Sequence, residues 1–457
     1  MSIASRNNLL TEGSLIRGLA GLATPMLVTA VLQNLQSLID LYWVGRLGAV
    51  AVASVAISGT VLMVLMPLLM GISTGTLAHV ARAVGGGRSE DASRAAAQSL
   101  WVASILGVVT GAVGLCFSDA VLHLLGASQD VTLLGGSYLR ISLLTAFTVF
   151  VLFVANAALQ GAGEAATTMK IMAFSNLVNL VMDPLLIFGP GPFPRLGVRG
   201  AAVATAIAQG AAACVAIWVL ARGHGHLHVR LAQCRPDFAL VWRILRIGIF
   251  GSGQMFARSL IGVVMMRLVA TSAGTIAVAG YGIGMRLHMV VLMPAFALGG
   301  AAATMVGQNL GAGRPQRARR AAWLATGVDA LLMVAAAIVL SFFAPDFIGA
   351  FNKDPRHAND VIAVGSSYLR IVSPFYVFTA LGIVLGRALN GAGDTVAPMV
   401  ITILALWGIQ VPLATVLSRM FVPPTNGIWW AMAATFATQG LMVLGWFELG
   451  RWKRIEI

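Results

Sequence analysis

Three aspartates, Asp40, Asp183 and Asp329, stand inside long apolar runs of a 457-residue chain that has sixteen acidic residues in all, and the first two fall in the same half. Asp40 lies five residues before Gly45, where the first run ends, and Asp183 six before Gly189, where the fifth ends. If both runs are helices, each carboxyl sits roughly 8–9 Å below its helix end at ~1.5 Å per residue. Asn176, Asn179 and Asp183 are spaced i, i+3, i+7 and so share one helical face. Thr205 on the following run can add a hydroxyl. Carboxylate, amide and hydroxyl oxygens at one depth make a cation site. Two carboxylates close together in a low dielectric cannot both stay charged cheaply, so one takes a proton or a cation neutralises the pair. H⁺ needs only the carboxylates, whereas Na⁺ wants several oxygens, which Asn179 and Thr205 would supply. The alternative is a set of polar groups that merely satisfy one another within a helix bundle.

The elements that must position these residues follow from composition. The chain is 58% hydrophobic and only 10% charged, with a mean hydropathy of +0.87; a soluble domain carries about 25% charged residues. The expected class is therefore an all-α integral membrane protein. Twelve apolar runs are read, at roughly 16–44, 50–81, 92–117, 133–158, 166–189, 197–221, 239–270, 275–307, 318–344, 361–388, 395–420 and 427–450. Their lengths suit helices crossing a ~30 Å hydrocarbon core, and they lack the alternation of an outer-membrane barrel. The polar start "MSIASRNNLLTEGS" does not read as a cleavable signal peptide.

The chain repeats itself. "SYLRI" occurs at Ser137–Ile141 and again at Ser367–Ile371, and "ALQGAGE" (Ala158–Glu164) is answered by "ALNGAGD" (Ala388–Asp394). The same spacing of 230 residues pairs Gly163 with Gly393, Thr205 with Thr435, and Gln209-Gly210 with Gln439-Gly440. Earlier, "GGGR" (Gly85–Arg88) matches "GAGR" (Gly311–Arg314), and "LMP" at Leu65–Pro67 matches "LMP" at Leu292–Pro294. An ungapped register of this kind indicates duplication. The expected organisation is an N-terminal six-helix lobe (1–221), a connector (222–238) and a C-terminal six-helix lobe (239–457). Because six is even, the two lobes share one orientation, the parallel-repeat plan of several transporters, with a cleft between them.

The net charge is +14, but the cations gather in one set of loops, among them Arg82, Arg88, Arg222, Arg230, Arg314 and Arg317. The positive-inside rule then places both termini and the connector in the cytoplasm, and a nucleic-acid partner is not expected. Cys116, Cys214 and Cys234 are odd in number and fit no metal spacing, so neither a disulfide nor a metal is expected. The stretch "HGHLH" (His224–His228) lies in the connector without other ligands nearby.

Several motifs resemble one family. "LIDLYWVGRLGAVAVASVAI" (Leu38–Ile57), "GAGR" before a helix, "LQGAGEAATTMK", "NLVNLVMDPLLIFG" (Asn176–Gly189) and "LNGAGDTVAPM" look like the multidrug and toxic compound extrusion (MATE) family over nearly the whole chain. The resemblance implies a V-shaped pair of six-helix lobes that exports cationic amphiphilic compounds in exchange for H⁺ or Na⁺. It implies coupling roles at Asp40, Asn179, Asp183 and Thr205, which match the DinF-like branch. Gln33 and Asn156 match cavity residues of that branch, and Gln36, Asn176 and Met172 join them as candidate substrate contacts. The Na⁺-coupled branch carries acids on helices 7 and 10, where this chain has none; helix 7 offers Gln254 and Arg258 instead. The expectation is H⁺ at the first lobe, with Na⁺ open and no bound cofactor.

Pro25 and Pro184 remove backbone donors inside helices and permit kinks. Pro25 lies fifteen residues before Asp40 and is the expected hinge of helix 1. Arg258, Arg286, His288 and Asp329 fall in or near spans of the second half. Facing a cleft, the cations would repel cationic drugs and admit anionic ones; otherwise they snorkel or pair with Asp329. A flippase for a lipid-linked or anionic substrate is therefore the competing function. No phosphate loop, metal cluster or nucleophile elbow is present, so an enzyme is not expected. The expected setting is a bacterial inner membrane, with a monomer in the bilayer acting on small organic molecules.

Overall fold

The computed structural model describes residues 10–457 apart from 125, 127, 224, 231, 232, 234, 353–355 and 456. The first half runs as α1 (Leu15–Gly45), α2 (Ala49–Met63), α3 (Met66–Gly85), α4 (Ser89–Leu124), α5 (Gln129–Leu144), α6 (Ala146–Gly161), α7 (Ala165–Phe188) and α8 (Val198–Arg222). The second runs as α9 (Phe238–Gly311), α10 (Pro315–Phe342), α11 (Ala358–Ala392), α12 (Val396–Met420) and α13 (Pro424–Leu449).

Two pairs, α2 with α3 and α5 with α6, are single spans bent by 42° and 46°. Pro67 causes the first bend, because it gives no N–H to the carbonyl of Met63. At the second, Thr145 Oγ donates to the Ile141 carbonyl at 2.8 Å and competes with the backbone ladder. Helix α9 has 74 residues, which at ~1.5 Å each would run ~110 Å. It is two spans joined at Gly274, whose φ of 75° and ψ of −170° break the helix. Counted this way, the described residues contain twelve spans, six in each repeat.

The repeated glycine motifs are helix ends. In the first copy the Glu164 N–H returns to the Leu159 carbonyl at 2.8 Å around Gly163 at φ 90°. In the second, the Asp394 N–H returns to the Leu389 carbonyl at 2.9 Å around Gly393 at φ 92°. "GGGR" and "GAGR" repeat the device, with Arg88 bonded to Ala83 and Arg314 to Asn309. These are left-handed C-caps that reverse the chain at the membrane surface.

The chain divides into two compact units, one built on Ala20–Ser252, the other on Gly253–Ile457 with Thr11–Leu19. The first packs small residues, with Ala92, Ala96, Ala155, Ala158, Ala212 and Ala216 all buried, which lets backbones approach closely. The second has an aromatic centre, where Tyr281 stacks on Trp429 at 5.1 Å and Tyr368 meets the same ring edge-on at 5.0 Å.

Candidate functional site

In the first unit, α1 and α7 are held in register near their ends. Trp43 of α1 meets Phe188 of α7 edge to face at 6.0 Å. Asp40 is three residues before Trp43 and Asp183 five before Phe188, so the two carboxyls lie within about 3 Å of one depth at ~1.5 Å per residue. The Asp40 carboxyl lies within hydrogen-bonding reach of both the Asp183 carboxyl and the Asn179 amide. Asn179 Nδ2 donates to Asp183 Oδ1 at 3.4 Å and to Thr205 Oγ1 at 3.5 Å. Asp183 and Asn179 are fully buried. Above them, Val44, Ala51, Ile187, Val198 and Ala201 form an apolar cap.

The cluster is short of donors. Asp40 Oδ1, Asp183 Oδ2 and Asn179 Oδ1 are buried oxygens with no hydrogen-bond partner. Buried polar atoms are nearly always satisfied, so several converging acceptors are suited to a proton shared between the acids or a hard cation among the oxygens. Pro184, next to Asp183, gives no N–H to the Leu180 carbonyl, which adds a further main-chain acceptor on this helix.

The remaining sequence candidates fall elsewhere in the same unit. Asn176 Nδ2 donates to the Leu32 carbonyl of α1 at 2.6 Å and so fastens α7 to α1. Asn156 of α6 directs its amide at Met172 Sδ, 3.6 Å away, while its Oδ1 is buried and unpartnered. Gln36 is buried and Gln33 exposed. Pro25 lies inside an unbroken α1, and Thr29 Oγ donates to its carbonyl at 2.8 Å. Thus Asp40, Asn179, Asp183 and Thr205 form one cluster, Asn156 and Met172 a second, and Gln33 joins neither.

One residue escaped sequence reasoning. Tyr138 of α5 lies within electrostatic range of both Asp40 and Asp183. It belongs to "SYLRI", whose repetition marks the duplication. Its second copy, Tyr368, lies in the aromatic core of the other unit.

In the second unit, Asp329 is fully buried and neither of its carboxylate oxygens has a hydrogen-bond partner. Pairing of Arg258, Arg286 or His288 with Asp329 is therefore not what the structure contains. Arg286 is exposed, and His288 Nδ1 hydrogen-bonds to the Tyr376 hydroxyl at 2.9 Å. His224 and Cys234 lie outside the described residues; Cys116 and Cys214 are free. Among the described residues no group of three His, Cys, Asp or Glu side chains could hold a metal.

Comparison with known proteins agrees with this architecture. The chain is 28% identical over 437 residues to the probable multidrug resistance protein NorM of Thermotoga maritima, covering 95% of this chain and 92% of that one. It is 29% identical to the FAD transporter of Shewanella oneidensis over 89% of this chain and 88% of that one. A crystal structure of MATE in complex with MaL6 superposes with a TM-score of 0.89 at 25% identity, covering 97% of each chain. The MatE family model matches residues 25–185 and 252–416, one segment in each repeat. The chain is a multi-pass membrane transporter belonging to the MatE family.

Proposed function

We propose that this protein is a multidrug efflux antiporter that exports cationic amphiphilic organic compounds in exchange for H⁺ or Na⁺ by alternating access. Asp40 and Asp183 carry the coupling ion, with Asn179 and Thr205 completing its shell. Asn156, Asn176, Gln33, Gln36 and Met172 contact cargo. The observation that carries this reading is the donor-poor carboxylate pair in the first unit, with three buried oxygens left unpartnered. The names of the relatives as multidrug resistance proteins support the same cargo class. H⁺ is favoured, because the second unit has no acid in the apolar runs at 239–270 and 361–388, where the Na⁺-coupled branch carries its own. The protein acts as a monomer in the bacterial plasma membrane, both termini cytoplasmic, an orientation that the loop cations support.

Pro25 is the proposed hinge. Loading the acid pair rearranges its hydrogen bonds, and α1 bends at Pro25, where the Gly21 carbonyl has no helical donor. A one-for-one exchange of H⁺ for a monovalent cation moves no net charge, so the ion gradient itself drives it, each ~1.4 kcal/mol being tenfold in a gradient; a second ion per cycle would add ~2.3 kcal/mol per 100 mV of membrane potential.

Ethidium uptake into everted membrane vesicles tests the proposal. Uptake is expected to collapse with a proton uncoupler, or on Na⁺ withdrawal if Na⁺ is the partner, and to be lost in Asp40→Asn. Undiminished uptake by Asp40→Asn would refute the site. Pro25→Ala is expected to slow uptake while leaving ethidium binding intact; full transport by this variant removes the hinge.

A further inference from the structure

The second unit contains a half-open cavity of about 440 Å³ that the coupling site does not use. That volume is ample for one ring system, as ligand pockets run from roughly 300 to 1,000 Å³. Its walls are soft and flat. Met255, Met265, Met285, Met289 and Met432 line it, and such polarisable, unbranched side chains adapt to varied ring shapes. The His288 ring stacks on Phe436 with centroids 5.6 Å apart and an interplanar angle of 10°, making a planar shelf. Both π-helical stretches among the described residues, Leu381–Leu385 and Leu404–Gln410, supply wall residues: Gly382 and Ile383 from one, Leu406 and Gln410 from the other. Such interruptions of a helix occur frequently at functional sites.

The polarity of this cavity is opposite to that of the first unit. Arg258 lines it and makes no hydrogen bond or ion pair with any described residue, and no acid lines it. Arg387 adds a second positive charge behind the wall, its Cζ 5.3 Å from the ring centre of Phe296, which faces the cavity. The Thr379 hydroxyl and Gln410 Oε1, also on the lining, are buried without partners. An unpaired guanidinium in an apolar cavity is costly unless a ligand brings the countercharge. A cation is repelled there, and a neutral ring leaves Arg258 unanswered.

We propose that this cavity binds an aromatic anion, with the ring system against the methionines and the His288–Phe436 shelf and the anionic group on Arg258 and Thr379. This rests on reading the chain as a transporter of organic molecules but not on the acid pair. Flavin mononucleotide and riboflavin are suitable probes, since they share one fluorescent ring and differ in a phosphate. Each is titrated by fluorescence polarisation into the full-length protein in detergent micelles.

Flavin mononucleotide is expected to bind about tenfold or more tightly than riboflavin, the worth of one charge-assisted contact. Arg258→Gln is expected to erase that preference and Arg258→Lys to keep part of it. Gly262 lines the cavity and a Cβ there meets nothing within 4 Å, so Gly262→Phe fills the space and is expected to abolish binding of both probes. Equal affinities in the wild type, no binding at all, a preference that survives Arg258→Gln, or full binding by Gly262→Phe would each overturn the proposal. Asp40→Asn separates the two readings, because it is expected to lose ethidium uptake and keep the flavin preference.

Discussion

The two units of this transporter share their turns and differ in their chemistry. The left-handed caps at Gly163 and Gly393 close with the same hydrogen bonds, and the "GGGR" and "GAGR" caps do likewise. Yet the face that carries Asn176, Asn179 and Asp183 in the first unit corresponds, 230 residues on, to Leu406, Ile409 and Leu413. Thr205 faces Asn179, whereas its counterpart Thr435 bonds to the Ala431 carbonyl of its own helix. Tyr138 stands by two carboxyls, while Tyr368 sits among Tyr281, His288 and Trp429. Duplication thus preserved what bends the chain and released what contacts the solute. One copy holds a donor-poor carboxylate pair; the other holds an Arg258-lined pocket of methionines and rings.

The largest expected break in this contrast is at the acids. Asp183→Asn, like Asp40→Asn, is expected to abolish ethidium uptake, and a double variant should be no worse than either single one because the pair acts as a unit. Next is Asn179→Ala, which removes the donor bridging Asp183 and Thr205. A hydrogen bond to a charged group is worth ~1.5–3 kcal/mol, so ion affinity read from the pH or Na⁺ dependence of uptake is expected to fall about tenfold or more. Leu413→Asp, which places an acid where the second unit has none, is expected to leave ion dependence unchanged, since no acid in the run at 239–270 answers it; a second ion-dependent phase would show the units to be interchangeable.

Smaller effects test the shared turns. A non-glycine residue in the left-handed region costs roughly 1–2 kcal/mol, so Gly163→Ala and Gly393→Ala are both expected to lower the thermal midpoint of the solubilised protein. At Gly393 the added Cβ would also lie 2.5 Å from Ile457 Cγ2, so that side chain must shift to admit it. Smallest of all is Arg140→Gln, which breaks a solvent-exposed bridge to Asp119 of 2.7 Å; exposed pairs contribute about 0–1 kcal/mol, and the midpoint should scarcely move.

Much of this was legible because a bilayer constrains sequence strongly. Apolar runs ended where helices end, and the gap between the runs at 239–270 and 275–307 contains Gly274, the one break in α9. Counting residues from Gly45 and Gly189 placed Asp40 and Asp183 at similar depth, which Trp43 against Phe188 supports. The bend at Pro67 could have been read from the proline, whereas the one at Thr145 could not, since a threonine in a span usually bends nothing. Tyr138 was hidden by its own motif, whose repetition marks the duplication. The second-unit cavity was beyond periodicity altogether. Arg258 and His288 stand out as polar residues in spans, but π-helical turns and the convergence of five methionines arise only from tertiary packing.

The central claim is that Asp40 and Asp183 exchange their ion when cargo binds. Ethidium added to the purified protein in weakly buffered, Na⁺-free solution, followed with a pH indicator, tests it most directly. Proton release is expected to saturate with ethidium binding in the wild type and to be absent from Asp40→Asn. Equal release from Asp40→Asn at equal ethidium occupancy would contradict it.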